Sequence, residues 1–151
     1  MPNVDVVVIE LSTPILIGVY QDNILIETLS SSEYSSEALP KLFKQILDKY
    51  KIETIVYTKG PGSFMAIKVA YIFLQSICIV NDCTLLATPA FTFNKNAPIK
   101  AFGKLYFMND NGIITTKKFE EEPKSVFELP KKLNLNDYDK EIAPLYVLPA
   151  V

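Results

Sequence analysis

A glycine–proline turn at residues 60–64 (Gly-Pro-Gly-Ser-Phe) constrains the fold of this chain more than any other segment. Residues 53–58 before it are rich in β-branched and aromatic residues, which is typical of a β-strand. Residues 64–80 after it form a long and regular run that predicts a helix. The turn therefore joins a strand to a helix through Gly60, Pro61, Gly62 and Ser63.

This turn has two interpretations. Glycine permits positive φ and proline fixes φ, so the pattern favours a sharp structural turn. The alternative is an anion site, because the open N–H groups at a helix start can hold an anion. We expect Ser63 to cap the helix by accepting a hydrogen bond from an orphan N–H group. A Ser63 nucleophile would need a lysine base such as Lys59 or Lys68, since the chain has no histidine, and we do not assign one.

Hydrophobic patterning in the first two thirds of the chain predicts an α/β fold. Residues 4–11 are an almost continuous apolar run, typical of a strand buried on both faces. A stripe from Leu39 to Tyr50 predicts an amphipathic helix, with Pro40 in its first turn or kinking it. In chain order we predict strands at 4–11, 15–20 and 24–29, a helix at 36–51, a strand at 53–58, a helix at 64–80, a strand at 84–88 and a helical turn at 89–94.

The remaining residues predict shorter elements. Asn111-Gly112 is a strong hairpin signal between strands at 105–109 and 113–119. A helical turn at 125–129 and a last strand at 145–148 follow. We therefore predict an α/β domain over residues 1–95 and a reduced second lobe over residues 96–151.

Composition excludes several classes of function. The chain has 151 residues and no histidine, arginine or tryptophan, so imidazole catalysis, a His metal site and a bidentate phosphate fork are absent. We expect no cofactor and no metal. A net charge of −2 gives no basic surface for nucleic acid. Cys78 and Cys83 are expected to be free thiols in a reducing cytoplasm. The apolar run at 69–80 is shorter than a membrane span.

The 64–80 helix has too few polar residues for a solvent-exposed helix. Ala66, Ala70, Phe73, Leu74 and Ile77 fall on one side and are expected to pack on the sheet. The opposite side indicates a partner interface, unless the second half of the chain covers it. Its residues are Phe64, Met65, Lys68, Tyr71, Ile72, Gln75 and Ile79.

Residues 59–70 (KGPGSFMAIKVA) resemble the signature of the TsaB (YeaZ-type) family, roughly GRGPGSFTGLRIG. Three more segments resemble that family and occur in its order: 8–13 (VIELST), 35–40 (SSEALP) and 144–149 (PLYVLP). The resemblance covers residues 4 to about 95 and the tail, and it implies a shortened member. The chain departs from the family pattern at Glu10, Met65, Ala66, Lys68 and Leu148.

The order of elements and the resemblance both imply one domain of the ASKHA fold, the RNase H-like fold of actin, Hsp70 and sugar kinases. ATP-using members of this fold have Asp-x-Gly-Thr at the first turn. Glu10, Ser12 and Thr13 occupy that place here and are the candidates for a nucleotide site. Pro14 and the lack of a glycine favour a plain strand turn instead.

TsaB is a bacterial partner in making threonylcarbamoyladenosine on tRNA. The resemblance implies a subunit without catalysis of its own, which docks on a TsaD homologue and activates it for tRNAs that decode ANN codons. A TsaE-type ATPase would join that assembly, and the isolated chain would form a homodimer. Two alternatives stay open: a degenerate sugar-kinase-like ATPase, and a self-associating structural protein without TsaD.

Overall fold

The computed structural model describes residues 1–146 and begins with a mixed α/β unit. Its elements in chain order are β1 (Asn3–Ile9), β2 (Ile15–Gln21), β3 (Ile24–Ser31), α1 (Ser35–Lys49), β4 (Lys51–Thr58), α2 (Phe64–Asn81) and β5 (Thr84–Thr88). The five strands form one sheet in the order β3-β2-β1-β4-β5. The pairs β3–β2 and β2–β1 are antiparallel, and β4 lies parallel to both β1 and β5. The predicted order of strands and helices up to residue 88 is confirmed.

Both helices pack on one face of this sheet. The core there joins alternate side chains of β1, such as Val6 and Val8, to Leu39 and Phe43 of α1 and Leu74 of α2. The predicted stripe of α1 is buried as expected. Pro40, however, lies in the second turn of α1, because the helix already begins at Ser35. The prediction that Pro40 occupies the first turn is therefore wrong.

The buried stripe of α2 differs from the predicted one. The residues buried on the sheet side are Ile67, Ala70, Leu74 and Cys78, while Ala66, Phe73 and Ile77 are only half-buried. Because the helix is apolar almost all round, the pattern of hydrophobic residues did not define which side faces the sheet. The side that is buried in the structure is rotated toward Ile67 relative to the predicted one. By length and composition α2 is apolar enough to cross a membrane. Only about a fifth of it, 22%, is buried, which leaves a large apolar surface open.

A second, small sheet follows a 3₁₀ turn at Ala90–Phe93. It contains β6 (Ile99–Phe102), β7 (Leu105–Asp110) and β8 (Ile113–Lys118), all antiparallel. The predicted hairpin is thus confirmed, with Gly112 in positive φ at its turn, and β6 is an additional strand. Residues 125–129 are extended, so the predicted helical turn there is wrong. Of the predicted strand 145–148, Leu145 and Tyr146 are in no strand, and 147–148 lie outside the described residues.

Residues 128–146, here called the C-terminal strap, return to the five-stranded sheet. The strap pairs with the free edge of β3, where Leu25 N–H donates to Lys131 O at 3.0 Å and Leu133 N–H donates to Asn23 O at 2.8 Å. It crosses the face opposite the helices, and Leu133 packs there against Val7 and Val56. A 3₁₀ turn, Leu135–Asp137, lies on this path.

The strap then reaches the other edge of the sheet. Asp139 exchanges two backbone hydrogen bonds with Ala87 of β5, at 2.7 and 2.9 Å. Further along, Tyr146 contacts Phe64 at the start of α2, with ring centroids 4.6 Å apart. One segment thus pairs with each edge strand at one bridge and packs on the second face of the sheet.

The strap should therefore contribute to the free energy of unfolding as a core element. Leu133 is buried in the second core cluster, so Leu133→Ala should lower the free energy of unfolding by about 2–4 kcal/mol through lost burial and a cavity. Lys132→Ala, at an exposed neighbouring side chain, is the control and should change it by less than about 0.5 kcal/mol. Urea unfolding measures both. Equal, small effects would contradict a strap that belongs to the core.

Candidate functional site

The turn between β4 and α2 is built as a structural junction. Gly60 has a φ of 113°, and a Cβ there would lie 2.7 Å from the carbonyl oxygen of Leu145 in the strap. The Gly60 carbonyl accepts a hydrogen bond from Ala90 N–H at 2.8 Å. Pro61 is buried beside it. Gly60 therefore meets two requirements, a positive φ and a close backbone approach, that other residues satisfy poorly.

Gly62 and Ser63 have different roles in this turn. A larger side chain at Gly62 was expected to cause either a strained φ or a clash. Gly62 has no positive φ, and its requirement is space, because a Cβ would lie 2.9 Å from Leu11 Cδ2. Ser63 is the N-cap of α2, and its side chain accepts a hydrogen bond from Ala66 N–H at 3.4 Å. The predicted capping role of Ser63 is confirmed.

Lys59 is buried, and nothing in the sequence indicated that it has a structural role. Its Nζ lies 3.0 Å from Asp139 Oδ2 and donates to the carbonyl oxygen of Glu141 at 3.0 Å. Its own carbonyl accepts a hydrogen bond from Leu145 N–H at 2.7 Å. Lys59 thus ties the turn to the strap, and its amine is engaged in contacts that do not involve Ser63.

The three nucleotide candidates line one cavity of about 480 Å³ together with Ser63. The N-termini of α1 and α2 both open onto it, and hydroxyl groups dominate its polar lining. The polar residues concerned are Glu10, Ser12, Thr13, Ser31, Ser32, Glu33, Tyr34, Ser35, Ser36 and Ser63. Residues 10–13 form one part of this lining and Ser63 another, and these two parts lie far apart in the sequence. Parallel strands end at the same edge of a sheet, however, and the parallel pairing of β1 with β4 brings the two parts together.

Glu10 lies at the inner end of this cavity and is almost fully buried. Its Oε1 accepts a hydrogen bond from Thr58 Oγ1 at 2.6 Å, and its Oε2 has no hydrogen-bond partner among the described residues. Burial raises the pKa of Glu10 to about 8, and the Thr58 hydrogen bond opposes this rise only in part. Burial therefore favours the neutral form of the Glu10 carboxyl group. Among residues 1–146, no cluster of three acidic or cysteine side chains is placed to hold a metal ion.

The predicted partner face of α2 is open over most of its length. Met65, Ile72 and Ile79 have exposed fractions of 62, 54 and 82%, and Lys68 between them is also exposed. Val80 extends the apolar surface with 81% exposed. Gln75 is half-buried. Phe64 and Tyr71 are also half-buried, because Phe64 contacts Tyr146 and Tyr71 stacks on Tyr57 with centroids 6.1 Å apart.

Comparison with solved structures supports a YeaZ-like fold. The chain is similar to YeaZ from Pseudomonas aeruginosa, with a TM-score of 0.56 and 12% sequence identity over 83% of this chain and 67% of that one. It is also similar to a crystal structure of an uncharacterised protein with similarity to peptidase YeaZ from Pseudomonas aeruginosa, with a TM-score of 0.55 and the same identity and coverage. No protein-family model matches the sequence, and no curated protein matches it.

The two glycines of the turn should respond differently to substitution. Gly60→Ala should lower the free energy of unfolding by about 1–3 kcal/mol, because alanine is strained at this φ and its Cβ meets the Leu145 carbonyl. Gly62→Ala, the matched control, meets only the end of the Leu11 side chain and should cost less than about 1 kcal/mol. Urea unfolding of both variants measures the difference. A larger loss for Gly62→Ala would contradict this assignment.

Glu10 should make the free energy of unfolding depend on pH. The pKa of Glu10 is raised from 4.5 to about 8 on folding, so the folded state binds the proton more tightly. Stability should then be highest below pH 4.5 and fall as pH rises toward 8, by up to about 1.4 kcal/mol per pH unit. Glu10→Gln removes this titration and leaves all others in place. Unfolding of both proteins between pH 5.5 and 8 should show a steeper fall for the unmodified chain, and parallel curves would refute the assignment.

Proposed function

We propose that this chain is a subunit without catalysis of its own that docks on a TsaD homologue through α2 and holds it competent for threonylcarbamoylation of tRNA. The observation that supports this proposal is the uncovered apolar surface of α2. Within residues 1–146, Met65, Ile72, Ile79 and Val80 expose more than half of their area, and the strap contacts the start of the helix at Phe64. A large exposed apolar surface on a folded chain is typical of a protein interface.

The second supporting observation is the YeaZ-like fold, which agrees with the resemblance in the turn motif. The role of a docking subunit also suits the chemistry of the cavity. Burial raises the pKa of Glu10, the buried acid among the described residues that line the cavity, to about 8. Residues 11–14 contain no glycine to let a phosphate approach the backbone. These features favour docking over the alternative of a degenerate ATPase.

The wider assembly belongs to the same proposal. The small sheet β6–β8 would stand for the reduced second lobe. A TsaE-type ATPase would join the complex, and the complex would act in the cytoplasm. A homodimer and a TsaD heterodimer would use the same α2 surface, so the two would compete. Self-association without any TsaD binding would favour the structural-protein alternative.

A charge placed on the α2 surface should weaken docking. Ile72→Asp should reduce the affinity for TsaD by roughly 2–3 kcal/mol, about a hundredfold in Kd, because the carboxylate would be desolvated in the interface. Ile113→Asp is the matched control, since Ile113 is 68% exposed on the hairpin and away from α2. Titration calorimetry with purified TsaD measures both variants, and circular dichroism checks the fold.

Three results would count against the proposal. One is an unmodified chain that stays monomeric and has no affinity for TsaD. The second is an Ile72→Asp variant that binds TsaD as tightly as the unmodified chain. The third is an equal loss of affinity in both variants, which would place the interface elsewhere.

A further inference from the structure

The two cysteines of the chain meet at the C-terminal end of α2. Asp82 caps this helix in the left-handed conformation, with φ 54° and ψ 49°. Cys83 N–H donates to the carbonyl oxygen of Cys78 at 3.0 Å. A hydrogen bond that spans six residues and encloses a left-handed residue is characteristic of a Schellman motif. In this motif the two residues joined by that hydrogen bond also bring their side chains into contact. In this chain those two side chains are the cysteines.

The resulting contact is between the sulfur atoms themselves. Cys78 Sγ and Cys83 Sγ lie 3.0 Å apart, and neither is in a disulfide. A disulfide bond is about 2.05 Å long, so the two sulfurs need to approach each other by only about 1 Å to form one. The helix end therefore holds the pair ready for bond formation.

The two thiols are not equivalent. Cys83 is partly exposed, whereas Cys78 is buried. The hydrogen-bonding contact with the Cys78 sulfur lowers the pKa of Cys83, although burial and the Asp82 carboxylate oppose this. The same hydrogen bond, together with burial, raises the pKa of Cys78. Cys83 is thus the thiol that an oxidant in solution can reach, whereas Cys78 is shielded from solvent.

We propose that Cys78 and Cys83 are a reversible oxidation site, in which a peroxide oxidises Cys83 to a sulfenic acid and Cys78 then converts this product to an intramolecular disulfide. The proposal goes beyond the proposed function and does not depend on docking. It requires no group other than the two cysteines and a hydroperoxide as oxidant.

The reaction balances in two steps. The Cys83 thiolate attacks one oxygen of hydrogen peroxide, the O–O bond breaks, and a sulfenic acid and hydroxide form; the hydroxide takes a proton to become water. The Cys78 sulfur then attacks the Cys83 sulfur and loses its proton, and the sulfenic oxygen leaves as a second water. The two sulfurs have together lost two electrons, which peroxide gained. Two equivalents of an external thiol return the pair to the reduced state.

The disulfide would enclose the end of the helix in a covalent ring. Ile79 and Val80, both strongly exposed, lie inside the ring, and β5 begins one residue after it. Fraying of the last turn of α2 away from β5 would then be blocked. We expect slower hydrogen exchange in the last turn of α2 and a higher Tm for the oxidised chain.

Mass spectrometry of the peptide spanning both cysteines tests the proposal. After mild hydrogen peroxide, the unmodified chain should lose the mass of two hydrogen atoms in this peptide, and dithiothreitol should restore it. Analysis of this peptide separates the cysteines from the methionines, which also gain oxygen. Cys78→Ser should leave Cys83 to gain oxygen or join a second chain, and Cys83→Ser should leave Cys78 largely unmodified, because it is buried. Native-like circular dichroism confirms that each variant is folded.

Several results would overturn the proposal. One such result is that both thiols of the unmodified chain remain reduced after peroxide treatment. Another is that Cys83 gains oxygen and no disulfide forms. A disulfide that forms only between chains would also overturn it. Equal reactivity of the two single variants would contradict the assignment of Cys83 as the attacking thiol. If substitution by serine unfolds either variant, Cys78→Ala and Cys83→Ala provide the same comparison.

Discussion

The parallel pairing of β1 with β4 is the constraint on which the rest of this structure depends. Parallel strands need a long crossover, and right-handed crossovers that proceed in one direction place their helices on the same face. The steps from β1 to β4 and from β4 to β5 both go outward along the sheet. Both α1 and α2 therefore cover one face, and the carboxyl ends of β1 and β4 meet, which brings Glu10 against Thr58.

This arrangement leaves the opposite face of the sheet and its two edges without cover from any helix. Exposed edges pair readily with other chains, and an uncovered apolar face would be unstable in water. The C-terminal strap meets both needs, because its backbone pairs with β3 and β5 and its leucines pack across the face. Lys59 then links the strap to the glycine turn through Asp139 and Glu141. The strap, the turn and the start of α2 consequently form one connected unit.

Sequence patterning predicted the parts of this fold that depend on local periodicity. The strands and helices up to residue 88, the hairpin at Asn111-Gly112 and the Ser63 cap all have local signals, and each is confirmed. The strap and the residues that lead into it have no regular period, since their path depends on a face that only the folded sheet provides, and the helical turn predicted at 125–129 was accordingly wrong. The Glu10–Thr58 pair could be found only from the parallel pairing. The exposed face of α2 was predicted in large part, but the inclusion of Ile67 and Cys78 in its buried stripe was not, because the helix is apolar almost all round.

The position of the strap in the chain has a consequence for biosynthesis. About fifty residues separate β5 from the point where Asp139 closes its edge, and ribosomes add roughly 5–20 residues per second. The sheet therefore emerges several seconds before its second face and its edges can be covered. A chaperone that binds extended apolar segments would have its best substrate in that interval. Premature termination within the strap would leave a nearly complete sheet that lacks its protection, and such a product would be a natural target for proteolysis.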